Sequence, residues 1–269
     1  MLSYQHIYHA GNLADVQKHA ILAWILAYLK RKDKPISYIE THSGRAVYDL
    51  TAAEAMKTGE AALGIQRPDI AAWFDADHPY AIAMHQVASQ QSANHYPGSP
   101  KIAEILLRDQ DQIHLAELHP QEAHALEIAM GRRAKVYKQD GFALAQSLCP
   151  PTPRRGVLLI DPSYEIKSEY DTIPTFMAQI SKKWNVGTIV LWYPVLLDGG
   201  YRQMVHKLKR AFPDGLDHRV GFSPARPGHR MIGSGLFIVN APYGLPDELA
   251  RLSKCFARLT KNDLGIFVN

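Results

Sequence analysis

From residue 99 onward, short apolar runs alternate with stretches patterned as helices. "QIHLAEL", "AKVYKQD", "GVLLIDP", "GTIVLWYP" and "GLFIVNAP" read as strands. Before and between them, "KIAEILLRDQ", "PQEAHALEIAMG", "GFALAQSL" and the stretches at 170–184 and 199–212 read as helices. Strands separated by helices of this length join by crossovers and pair in parallel. The alternation therefore predicts an α/β chain with a doubly wound, mostly parallel sheet. Sheets of this kind bind ligands outside the carboxyl ends of their strands, so the strand ends become the candidates for a site.

Upstream, "GNLADVQKHAILAWILAYLKRKDKP" reads as a helix. Asn12 suits its N-cap, Asp15 its first turn, and Leu13, Val16, Ala20, Ala23 and Ala27 recur at helical spacing. Lys30 to Lys32 suit its C-terminus, with Pro35 just beyond. "ISYIE" (36–40) then reads as a short strand. Residues 50–95 interrupt the alternation: they are Ala-rich and helical in pattern, broken at Gly64 to Pro68, and closed by "HYPGSP". They read as a helical insertion within one domain spanning residues 1–269. "SPARPGHRMIGSG" reads as a loop.

Some classes fall away early. The apolar run "AILAWILAYL" is shorter than the roughly 20 residues that span a bilayer, and no small-residue cleavage site follows it. Cys149 and Cys255 match no metal spacing and suggest no disulfide framework, which fits a reducing cytoplasm. The net charge of +4 permits a nucleic-acid partner without requiring one. Basic residues gather in three places: Arg132, Arg133, Lys135 and Lys138; Lys207, Lys209 and Arg210; and Arg226, His229 and Arg230.

The strand ends read "ETHSG" (40–44), "ELHP" (117–120), "QDGF" (139–142), "DPSY" (161–164) and "WYPV" (192–195). Taken singly, Glu117 or Asp140 reads as a helix cap. Together they suit a nucleoside cofactor, with Glu117 accepting both ribose hydroxyls and Asp140 an adenine amino group. Gly44 would let the backbone approach a ligand closely. There is no G-x-G-x-x-G and no G-x-x-x-x-G-K-S/T, so support for a pyrophosphate or triphosphate is lost. S-adenosylmethionine is the common nucleoside cofactor that remains. At "DPSY", Asp161 and the Pro162 carbonyl can accept the two N–H bonds of an adenine amine while Tyr164 stacks on the base. Accepting both bonds localises the nitrogen lone pair for in-line attack on a sulfonium methyl. The acid then collects the proton, and no metal is needed.

"DPSY" resembles the D/N/S-P-P-Y/F/W motif of amino-group methyltransferases. "MLSYQHIYHAGNLADVQKH", "THSG", "HYPGSP", "ELHP", "QDGF", "IDPSYE" and "LWYPV" occur here in one order. That set resembles the RlmJ-type family, which methylates N6 of an adenine in 23S ribosomal RNA, and the likeness extends over nearly the whole chain. The resemblance implies a Rossmann-like class I methyltransferase fold with a small helical insertion. It implies Asp161 in the catalytic role, and Lys18, His19, His42, Ser99, Glu117, Asp140 and Gly141 as contacts of S-adenosylmethionine. Tyr4 and His6 would reach the active site and the RNA. The protein would act as a monomer on 23S RNA, away from membranes and without an obligate protein partner. Two positions depart from the pattern: Ser163 replaces the motif's second proline, and Arg45 and Ala46 stand where the first-strand loop is otherwise small and glycine-rich.

Three other readings compete. A methyltransferase-fold RNA-binding module with a drifted catalytic loop is motivated by Ser163 and Ala46; the intact Asp161, Pro162 and Tyr164 oppose it. An adenine methyltransferase acting on DNA shares the motif, but a duplex would require base flipping, whereas a looped RNA gives easier access. A metal-dependent hydrolase is suggested by 13 histidines, yet "HPQEAH" lacks the H-E-x-x-H spacing.

Overall fold

A computed structural model describes residues 4–226 and 228–266. The chain opens on α1 (Leu13–Lys30), capped by Asn12, whose side chain accepts the Asp15 backbone N–H at 2.9 Å. β1 (Ser37–Glu40) follows, then β2 (Val47–Asp49), the helices α2 (Ala53–Thr58), α3 (Glu60–Leu63), α4 (Pro68–Ala71) and α5 (Pro79–Gln90), and β3 (His95–Pro97). The alternating part comprises α6 (Ser99–Leu106), β4 (Gln112–Ala116), α7 (Pro120–Met130), β5 (Lys135–Tyr137), α8 (Gly141–Leu148), β6 (Gly156–Ile160) and α9 (Glu169–Lys183). It continues through β7 (Thr188–Leu196), α10 (Tyr201–Ala211), β8 (Leu216–Gly221), β9 (Met231–Val239) and α11 (Leu245–Ile266).

Seven strands form one sheet in the order β5-β4-β1-β6-β7-β9-β8, parallel from β5 to β7 and antiparallel from β7 onward. Every residue of β1 and β6 is buried, as expected of central parallel strands covered on both faces. Successive side chains alternate between two apolar clusters. Tyr38, Val157 and Leu159 join the one containing α1 and α5; Ile39, Leu158 and Ile160 join the one containing α9 and α10. The sheet is therefore wound on both sides. No helix among the described residues is long and apolar enough to cross a membrane.

Three features go beyond the sequence expectation. β8 presents the polar string "LDHRVG", whose buried residues alternate with outward ones as suits an edge, so it leaves no continuous apolar run. β9 begins at Met231, inside the stretch expected to be a loop. Its Gly233 and Gly235 look loop-like in sequence, but a Cβ on Gly235 would overlap the Tyr193 ring and one on Gly233 the Val220 carbonyl. The third is a small antiparallel sheet in which β2 pairs with β3, so "HYP" is a strand at the edge of the helical stretch 50–95. That stretch shares the α1 cluster through Ile70 of α4, Tyr80 of α5 and Phe74 in the turn between them.

Candidate active site

The carboxyl ends of β1, β4, β5, β6 and β7 open into one cavity of about 560 Å³. Thr41 to Gly44, Glu117 to His119, Asp140 to Phe142 and Asp161 to Tyr164 line it. The N-terminal segment supplies a wall through Tyr4, His6 and His9, and the loop before β9 another through His229 and Arg230. Five separate strand ends thus meet, as the strand-end reading expected.

A chain of polar contacts crosses the cavity wall. Lys18, one turn into α1, places Nζ 2.6 Å from Asp161 Oδ2 and 3.0 Å from Asp15 Oδ1. Asp15 Oδ2 meets His6 Nε2 at 2.9 Å and accepts the Gly11 N–H at 2.9 Å. His6 Nδ1 lies 2.8 Å from the Tyr4 hydroxyl, and the Tyr4 ring stacks on His9. Burial alone would neutralise Lys18, but Asp15 and Asp161 outweigh it and hold its pKa above the ordinary lysine value. Burial likewise opposes ionisation of Asp15, yet His6, Lys18 and His19 keep its carboxyl well below the usual range. Lys18 occupies Oδ2 of Asp161, which leaves Oδ1 as the oxygen available to accept an N–H.

Residues 33–266 match the family model described as "Ribosomal RNA large subunit methyltransferase D, RlmJ". The chain belongs to this family. Ribosomal RNA large subunit methyltransferase J of Escherichia coli K12 is 38% identical over 256 residues, covering 93% of this chain and 90% of that protein. The protein of the same name from Haemophilus influenzae is 35% identical over 261 residues, covering 94% and 92%. A crystal structure of a Legionella pneumophila protein superposes with a TM-score of 0.83 at 35% identity, covering 94% of each chain.

In this RlmJ-family protein the residues expected at the cofactor all line the cavity, but several are already engaged. Both Glu117 oxygens accept backbone N–H groups at 2.8 Å, from Gly44 and His119, while burial raises its pKa. Asp140 caps α8, its Oδ1 accepting the Ala143 N–H at 2.8 Å, so the capping reading holds for that oxygen. Gly141 answers to packing: a Cβ there would overlap the Thr41 carbonyl where α8 meets the end of β1. Ser99 donates to buried Glu40, and His19 sits 2.7 Å from the Tyr96 hydroxyl. Burial pushes His19 down to about 3 and His42 to about 4, so both are neutral imidazoles at neutral pH. His42 packs edge-on against Phe142. Lys18 lines the cavity while bridging the two carboxylates.

Those residues fit a nucleoside cofactor. The donor set is one of carboxylates, hydroxyls and neutral imidazoles, without a phosphate-binding loop. Four cavity-lining residues carry a buried atom with no hydrogen-bond partner and so have capacity for a ligand: Ser43 Oγ, His119 Nδ1, Glu169 Oε2 and His229 Nδ1. Ser43 and His119 were not sequence candidates, but each adjoins one, in "THSG" and "ELHP"; His229 belongs to the third basic group. Arg45 does not line the cavity; its guanidinium pairs with the buried, cavity-lining Glu122, with Nε 2.9 Å from Oε2. Ala46, with φ of 69°, holds the left-handed backbone the tight loop needs. What closes on Gly44 is the Tyr48 hydroxyl.

Tyr164 is more enclosed than the sequence reading expected. It was expected to stack on a base, yet it is 2% exposed, its ring lies 4.5 Å from that of Tyr170, and its hydroxyl donates to the Trp192 carbonyl at 2.8 Å. The turn that follows Pro162 rotates it inward, with φ of 56°. Its ring therefore braces the loop. Asp161, Pro162, Ser163 and, along its edge, Tyr164 line the cavity. Of the basic groups, only His229 and Arg230 reach the cavity, and Arg230 pairs with Asp198 at 2.5 Å. Lys138, Lys207 and Lys209 form ion pairs with Glu127, Asp171 and Asp217, each at 2.8 Å.

Proposed function

We propose that this protein transfers a methyl group from S-adenosylmethionine to the N6 amine of an adenine in 23S ribosomal RNA. The observation that carries the reading is Asp161: a carboxylate at the end of a central strand, fixed through one oxygen by Lys18, beside Pro162 and at a cavity shared with Glu117 and Asp140. Membership of the RlmJ family and the names of the Escherichia coli and Haemophilus influenzae relatives support ribosomal RNA as the substrate. The mildly basic chain, with pI about 8.9, suits that partner. The same reading has the protein working in the cytoplasm as a monomer, with residues 50–95 as an insertion subdomain.

When bound, S-adenosylmethionine supplies a methyl group made electrophilic by its sulfonium sulfur. Glu117 would hold the ribose, Asp140 the adenine amino group, and Ser99, His19 and His42 the remaining contacts around it. Asp161 Oδ1 and the Pro162 carbonyl accept the two N–H bonds of the target amine, which draws its lone pair out of the ring. As the nitrogen gains a bond it becomes a strong acid, and one of its protons passes to Asp161 and then to solvent. Lys18 fixes the carboxylate's orientation throughout. Tyr4 and His6 stand at the RNA side of the same cavity.

The test is transfer of labelled methyl from S-adenosylmethionine to 23S RNA lacking the modification. Wild type should deposit label as N6-methyladenine; Asp161→Ala should abolish transfer while retaining cofactor binding. Normal turnover by Asp161→Ala would sink the mechanism, and absence of label with wild type would sink the substrate.

A further inference from the structure

α10 carries no acidic residue. Tyr201, Met204, Val205 and Leu208 bury one face of it in the cluster that contains α9, and the opposite face is exposed. On that face Arg202, His206 and Arg210 fall four residues apart, so they form one stripe about 12 Å long. Acids do stand near the helix, but other cations hold them. Asp171 pairs with Lys207 and Asp198 with Arg230, while the buried Asp217 takes Lys209 and Arg219. The three side chains of the stripe form no ion pair among the described residues. A face of one sign gains none of the pairing that stabilises a solvent-exposed helix, so the stripe does nothing for folding. Its upper end lies at the cavity. Leu196, the last residue of β7, lines that cavity, and α10 follows after a short turn. Asp198 ties the turn to the cavity wall: its Oδ2 pairs with the wall residue Arg230, and its Oδ1 accepts the Gly200 N–H at 3.0 Å. Positive charge thus continues from the cavity mouth down the outside of a rigid helix.

We propose that the outer face of α10 is a track for the RNA backbone, on which Arg202, His206 and Arg210 bind phosphates flanking the target nucleotide. The proposal rests on the RNA methyl-transfer reading and names a surface that holds the substrate outside the cavity. Guanidinium groups present forked donors that match phosphate oxygens, and the imidazole between them adds another N–H. Such contacts fix affinity and register and carry no sequence information. A polyanion suits this face better than a protein does. Protein interfaces are built on apolar and aromatic centres, whereas the exposed positions of α10 hold Gln203, Lys209 and Ala211 beside the stripe and no larger apolar side chain.

The test uses the full chain as wild type, Arg202→Gln/Arg210→Gln, Arg202→Lys/Arg210→Lys and a control, Lys254→Gln/Arg258→Gln. Lys254 and Arg258 are exposed on α11, which packs into the other apolar cluster, so the control removes the same charge from the opposite side of the sheet. Binding of a short single-stranded RNA of mixed sequence is read by fluorescence anisotropy at salt concentrations from about 50 to about 200 mM. Each phosphate contact on a single strand contributes about 0.7 to the slope of log affinity against log salt, so losing two should lower it by about 1.4. Across that range wild type should therefore lose about sevenfold more affinity than the glutamine variant does. The lysine variant and the control should keep the wild-type slope. In the methyl-transfer assay the glutamine variant should raise KM for 23S RNA and leave kcat and S-adenosylhomocysteine affinity unchanged. An unchanged slope in the glutamine variant would overturn the track and leave the face to an acidic protein. An equal fall in the control, or a lysine variant that behaves like the glutamine one, would overturn it as well. The two readings fail separately. A wild type that methylates no 23S RNA, with the slope lowered only in the glutamine variant, upholds the track and refutes the substrate; normal methylation with an unchanged slope does the reverse.

Discussion

Replacing Lys18 with methionine removes one ammonium while keeping most of the side chain's length and apolar volume. In the intact protein that ammonium bridges Asp15 and Asp161, and the three side chains are 4%, 2% and 13% exposed. Removing one member of a buried pair leaves an uncompensated charge and costs about 3–5 kcal/mol. Asp15 retains His6 at 2.9 Å, so the orphaned charge falls mainly on Asp161, the most exposed of the three. The lower end of the range, about 3 kcal/mol, is therefore the expected loss. Unfolding entropy of about 2.1 cal/mol/K per residue gives roughly 0.56 kcal/mol/K for 269 residues, so Tm should drop by about 5 °C. Urea unfolding and thermal melts of Lys18→Met read both quantities. In Lys18→Met/Asp161→Asn the orphaned charge is gone, and most of the loss should be recovered relative to the sum of the single changes. A cost below about 1 kcal/mol, or strict additivity in the cycle, would show that Lys18 is solvated and that the bridge does not order the site.

Two further outcomes follow from buried groups at the ends of β1. An alanine Cβ at Gly141 would come within 2.6 Å of Thr41 Cα, so α8 must retreat from the sheet; a loss of about 1–3 kcal/mol and weaker binding of S-adenosylhomocysteine are expected, and an unchanged urea midpoint would contradict the packing argument. Burial pushes Glu40 up to about 8 from the ordinary 4.5, against the pull of the Ser99 and Tyr38 hydroxyls. Because the folded state holds the proton more tightly, its contribution is full below about 4.5 and is lost as pH rises through about 8. The Tm of wild type should accordingly fall more steeply than that of Glu40→Gln between these values, and parallel curves would refute a protonated Glu40.

What the sequence made legible follows from what is local. The α1 cap needs only Asn12 and Asp15, three residues apart, and the central strands announce themselves because burial on both faces demands unbroken apolar runs such as Val157 to Ile160. The strand ends could then be read as a site because the sheet gathers them at one edge. Less legible were elements whose composition answers to a distant neighbour. Gly235 is small because Tyr193 crosses it, and β8 is polar because it forms the sheet edge. The inward turn of Tyr164 depends on a carbonyl 28 residues away, and nothing in "DPSY" distinguishes a ring that faces a ligand from one that braces the loop beneath it.

The same limit applies to charge. Lys18 and Asp161 are separated by 143 positions, and each has a plausible independent role when read alone. Together they form the far end of a chain that runs from the Tyr4 hydroxyl through His6 and Asp15. Each link shares an ion or hydrogen bond with the next, so the N-terminal segment and the carboxylate of Asp161 are energetically one unit. Members of such a unit do not carry separable contributions: removing any one alters the partner set of the others, and their mutational costs should not add. The chain also explains why α1 begins with so polar a turn. Asp15, Lys18 and His19 are spaced three and four residues apart, which puts all three on one face of the helix, the face turned toward the cavity. The later turns, free of that duty, are almost wholly apolar and are buried in the core.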